Sequence, residues 1–90
     1  MEIEDFLNHL SFERQLSQNT ILAYGRDIKQ FFAYCAENQT EPLQATPEFL
    51  DNYIYHLKAE ITLAPASTQR KLEALKSYYK FLMVEGIIKK

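Results

Sequence analysis

Ninety residues, 47% of them hydrophobic, are enough to bury roughly 60–70% of the unfolded chain's surface in one domain. One cysteine excludes an internal disulfide, two histidines without a partner at zinc-site spacing give a metal no support, and no apolar run approaches the ~20 residues of a bilayer span. The net charge of −2 hides an asymmetry: residues 1–66 carry four cations against ten acids, whereas residues 67–90 carry six cations against two acids.

Four helical segments and no convincing strand follow from the spacing of apolar residues. The first spans about 2–14, with Ile3, Phe6, Leu7 and Leu10 at helical spacing and Glu2, Glu4 and Asp5 favouring the positive end of its dipole. Those acids are unlike the basic start of a signal peptide, so the protein is expected to be soluble and cytoplasmic. The second segment, about 18–37, places Ile21, Tyr24, Ile28, Phe31, Phe32 and Cys35 within one apolar sector, with Ser17 or Asn19 as its cap. Cys35 lies in that stripe and reads as a buried structural thiol. Arg26 and Lys29 project from the other side, beside the small Gly25 and Ala33, which would let a partner surface approach closely.

After the polar connection QTEPLQA, Thr46 before Pro47 gives a cap with proline at the first helical position. The third segment, about 47–59, is expected to bury Phe49, Leu50, Tyr53, Ile54 and Leu57. The fourth runs from about Ala66 to Glu85, with Gly86 placed to end it in a left-handed turn. It has two apolar sides: Leu72, Leu75, Tyr79, Leu82 and Met83 form one, and Tyr78 with Phe81 the other. The smaller patch either packs on the first helix or faces another domain, and packing is the expectation. Toward its start the fourth segment also presents Ser67, Arg70, Lys71, Ala74 and Ser77, small and basic side chains suited to a helix that approaches phosphates and base edges. Screening limits exposed charges to ~8–10 Å, so this local excess governs what a docked polyanion would feel.

Together, the second and fourth segments resemble the N-terminal core-binding, or SAM-like, domain of phage integrases and XerC/XerD-type tyrosine recombinases. The resemblance rests on Ser17, Asn19, Thr20, Ala23, Tyr24, Arg26, Asp27 and Ile28 in SQNTILAYGRDI, on Phe31 or Phe32 and Tyr34, and on STQRKLEALKSYYKFLMVEGII from Ser67 to Ile88. TPEFLDNYIYHL matches the expected third helix.

This resemblance implies an all-α, four-helix orthogonal bundle over residues 1–86, with 87–90 starting a linker to a catalytic domain beyond them. It implies that the domain sits on one face of duplex DNA while the catalytic domain closes on the other, and that recombinase protomers assemble as a tetramer. Carried over by position, the DNA contacts are Thr20, Tyr24, Arg26 and Lys29 from the second helix and Ser67, Thr68, Arg70, Lys71 and Lys76 from the fourth. Thr20, Arg26, Lys29 and Lys71 fall mainly to phosphates, and Arg70 with Ser67 nearest to base edges. In the family a tyrosine nucleophile, assisted by arginine, lysine and histidine residues of the catalytic domain, cuts and rejoins strands without nucleotide or metal cofactor. These 90 residues, whose six tyrosines lie in helical stripes without that set, are therefore expected not to be catalytic. Gly25 departs from the family pattern, which commonly has a second basic residue there, and marks where the grip on DNA is expected to be weakest. The competing reading is a protein-interaction bundle that uses the Tyr78/Phe81 patch and the acidic first helix, with no role on DNA.

Overall fold

The computed structural model describes residues 3–12, 15–61 and 65–88, which form four α-helices and, among the described residues, no strand. Helix α1 runs Ile3–Phe12, α2 Gln18–Glu37, α3 Pro47–His56 and α4 Pro65–Val84. The N-cap of α2 is Ser17, whose hydroxyl accepts the Thr20 N–H at 3.2 Å. Thr46 caps α3 in the same way, accepting the Phe49 N–H at 3.1 Å ahead of Pro47.

The C-terminal ends of α2 and α4 share one device. After α4, Gly86 adopts φ +74°, and the Ile87 N–H reaches the Leu82 carbonyl at 2.9 Å while the Gly86 N–H reaches Met83 at 3.1 Å. This is a Schellman closure, and glycine suits it because no Cβ opposes the left-handed backbone. After α2 the same closure is made by Gln39, at φ +55°, with the Thr40 N–H on the Cys35 carbonyl at 2.9 Å. Two features differ from the sequence expectation. Helix α3 stops at His56 and widens into a π-turn over Leu57–Ile61, and the polar connection holds a 3₁₀ turn at Pro42–Gln44. The Tyr79 hydroxyl fastens that turn to α4 by donating to the Pro42 carbonyl at 2.6 Å.

The core gathers Phe6 and Leu10 from α1, Ile28, Phe31 and Cys35 from α2, Tyr53 from α3, Leu57, and Ala74, Leu75, Tyr78, Phe81 and Leu82 from α4. Aromatic edges lock it: Phe6 meets Tyr78 at 5.3 Å and Phe81 at 5.7 Å between ring centres, and Phe31 meets Tyr53 at 5.1 Å. The Tyr78/Phe81 patch therefore packs under α1, as expected. Burial pushes the Cys35 thiol up to about 11, with Glu41 adding to the effect, which fits a structural thiol. Burial likewise raises the phenols of Tyr53, Tyr78 and Tyr79 above their ordinary value, the opposite of what a nucleophile needs.

Two stripes are drawn differently from the sequence pattern. On α2 the buried line includes Gly25 and Asp27, while Tyr24 and Phe32 are only partly covered. On α4 the buried line runs Thr68, Lys71, Ala74, Leu75, Tyr78, Phe81 and Leu82, and Met83 lies 37% exposed. The close partner of Gly25 is α1: a Cβ built on it would stand 3.5 Å from both methyl carbons of Leu7.

Candidate nucleic-acid interface

The two charged residues that are buried among the described residues, Asp27 on α2 and Lys71 on α4, are buried against each other. Asp27, with its side chain 2% exposed, accepts both prongs of Arg70, Nε to Oδ2 at 2.8 Å and Nη2 to Oδ1 at 2.9 Å. Lys71 Nζ donates to the same Oδ1 at 2.7 Å and to Gln30 Oε1 at 2.6 Å. Burial alone would hinder ionisation of Asp27, but the hydrogen bonds and charges of Arg70 and Lys71 outweigh it and hold the carboxyl below its usual range. Its hydrogen bond to Asp27 in turn raises the affinity of Arg70 for its proton, and Tyr24 lies within electrostatic reach of the same guanidinium.

The two cations differ in what remains to them. The Lys71 side chain is 11% exposed and lies between Asp27 and Gln30, whereas that of Arg70 is 41% exposed. A guanidinium carries five N–H donors in a rigid fork, and Asp27 takes one edge of it. The adjoining edge, formed by Nη1 and the second proton of Nη2, has no hydrogen-bond partner among the described residues.

The other sequence candidates fall into three places. Arg26 and Lys29 are exposed on α2 and have no ion-pair partner among the described residues. Thr20 is half-buried in the first turn of α2, where its Oγ1 accepts the Ser17 hydroxyl at 2.9 Å, leaving its own proton available. On α4, Ser67 is half-buried and Thr68 is buried. Lys76 stands apart, 3.9 Å from Glu73 and over an apolar groove between α3 and α4 that Leu50, Ile54 and Leu72 help to line. Tyr24, Arg70 and Lys71 thus meet where α2 faces α4, and Lys76 points elsewhere.

Two residues of this cluster carry no assignment in the sequence reading: Asp27 as the anchor, and Gln30. One signal was available for Asp27. It is the only acid between Gln18 and Ala36, and it sits one residue from Ile28 on the apolar side of the helix.

The family model for the phage integrase N-terminal SAM-like domain matches residues 3–86, and the chain belongs to this family. Its all-α, four-helix build is that of the SAM-like class. Among curated proteins it is 37% identical over 84 residues to tyrosine recombinase XerC of Leptospira interrogans, covering 93% of this chain and 27% of that protein. It is 41% identical over 84 residues to tyrosine recombinase XerD of Rickettsia bellii, with the same coverage of 93% and 27%, and 36% identical over 85 residues to XerD of Chlorobaculum tepidum. The chain therefore spans about a quarter of the length of these relatives. No solved structure matches it. Among the described residues no helix is long and apolar enough to cross a membrane, and no three His, Cys, Asp or Glu side chains are grouped to hold a metal ion.

Proposed function

We propose that this domain grips one face of duplex DNA with α2 and α4, as the N-terminal part of a site-specific tyrosine recombinase. A catalytic domain on the other face then cuts and rejoins the strands through a phosphotyrosine intermediate. The observation that carries this reading is the exposed cationic set of Arg26, Lys29 and the outer edge of Arg70, on two helices that a buried ion cluster holds against each other. Arg26, Lys29 and Thr20 serve phosphates, with the positive end of the α2 dipole adding a favourable field. Arg70 and Ser67 lie nearest base edges, with Tyr24 beside them. Lys71 and Thr68 contribute through the geometry they hold, and Lys76 belongs to the flank. The partners are double-stranded DNA and, for the whole protein, further recombinase protomers in a synaptic tetramer. The rival interaction-bundle reading loses its main surface, because Tyr78 and Phe81 are 2% and 4% exposed.

Fluorescence titration of labelled duplex DNA at increasing salt tests the proposal. The two phosphate-bound cations, Arg26 and Lys29, give a log–log slope of about −2, and each of Arg26→Ala and Lys29→Ala lowers its magnitude by about 0.9. Binding with no salt dependence, or slopes unchanged in both variants, refutes it.

A further inference from the structure

We infer that Asp27 is the positioning residue for a base-reading arginine: by taking the Nε/Nη2 edge of Arg70, it aims the end-on Nη1/Nη2 edge outward, so that the domain selects a guanine in the major groove. The inference rests on the DNA-binding reading above and deepens it. An arginine free in solvent samples many rotamers, but two hydrogen bonds of 2.8 and 2.9 Å to a carboxylate that is itself buried and fixed by Lys71 leave the guanidinium plane one orientation. The pair of parallel N–H groups left on its terminal edge matches the O6 and N7 acceptors of guanine. A phosphate presents two oxygens to such a fork as well, and charge separates the two targets. Phosphate binding draws on net positive charge, and Asp27 cancels much of that of Arg70, while base reading draws on fixed direction, which Asp27 supplies. Arg26 and Lys29, exposed and without an ion-pair partner among the described residues, are the better phosphate ligands.

The test selects bound duplexes from a randomised pool with the wild-type chain, Asp27→Asn and Arg70→Lys, and then measures affinities for the selected duplex with guanine, adenine or 7-deazaguanine at the preferred position. The wild type is expected to enrich guanine at one position, to lose about 5- to 150-fold on adenine, and to lose part of that on 7-deazaguanine, which lacks N7. Asp27→Asn is expected to level the three bases, losing more affinity for the guanine duplex than for unselected duplex. A merely structural role would weaken all duplexes alike. Arg70→Lys keeps the charge, loses the fork and should level the bases too, and Asp27→Glu, which keeps the charge but shifts the carboxylate by one methylene, should weaken the guanine preference and carries the test of Asp27 if Asp27→Asn loses its helical circular dichroism. Guanine preference that survives either Asp27→Asn or Arg70→Lys overturns the inference. So does an Arg70→Lys effect equal on all sequences, or salt-dependent duplex binding without guanine enrichment. Absence of any duplex binding overturns the DNA-binding reading itself, and this inference with it.

Discussion

Replacing Asp27 with alanine removes the one anion that two cations share, and the exposures of those cations set the cost. Arg70, 41% exposed, can swing into water and recover its hydration, whereas Lys71, 11% exposed, keeps only the Gln30 amide oxygen at 2.6 Å. One buried charge is therefore left uncompensated, which places Asp27→Ala at the lower end of the range for breaking a buried ion pair, about 3 kcal/mol. A domain of this size has a total stability of about 5–13 kcal/mol, so the loss is a quarter to more than half of it. The thermal midpoint should fall by about 12–24 °C. Lys71→Met alone is far milder, about 1 kcal/mol or less, because Asp27 keeps both prongs of Arg70 and the methionine fills the same buried line. The double variant, Asp27→Ala with Lys71→Met, should recover at least about 1.5 kcal/mol relative to Asp27→Ala, a coupling that strictly additive effects cannot give. Urea unfolding followed by circular dichroism measures all three. An Asp27→Ala loss below about 1 kcal/mol, or additive losses, would show that the cluster does not hold α2 to α4.

Acid should act on the same group. The folded pKa of Asp27 lies below its unfolded value, so its contribution is complete above roughly pH 5 and fades as pH falls through the folded pKa. The stability gap between wild type and Asp27→Asn should therefore narrow below that pH, and a gap constant down to about pH 3 contradicts the assignment. Gly25→Ala should stabilise by about 0.5–1 kcal/mol, since the helix gains propensity and the new methyl meets Leu7 at 3.5 Å, an ordinary contact. A destabilised Gly25→Ala would mean that α1 lies closer to α2 than described. Gln39→Gly relieves a left-handed residue at φ +55° in the α2 closure and should raise stability by about 1 kcal/mol, read as a higher urea midpoint. An unchanged or lower midpoint would place the strain elsewhere.

Local signals were sufficient wherever the physics is local. Ser17 and Thr46 cap the helices that follow them because a hydroxyl at that position meets the unpaired N–H groups within three residues. Gly86 ends α4 because it alone there can take φ +74° without a Cβ penalty. The covering of Tyr78 and Phe81 by α1 was legible as well, since two aromatics on a second helix face have few other places to go in a small domain.

Gly25 shows where the sequence misleads. A small residue on α2 admits a close partner, and only the packing of α1 assigns that partner to Leu7. Arg70 and Lys71 show it more sharply, for they are adjacent in sequence and both count there as exposed DNA contacts. Their fates differ because neighbouring residues on a helix point about 100° apart, so Lys71 turns into the buried line while Arg70 stays at its edge. Asp27 lies 43 residues from Arg70, and no periodicity within either helix records which charges will meet across the interface. The sequence by itself determined the four helices, their caps and the family. Only the tertiary structure decided that an acid on α2 ties one cation into the core and sets the direction of the other, because that pairing exists only once the two helices are packed.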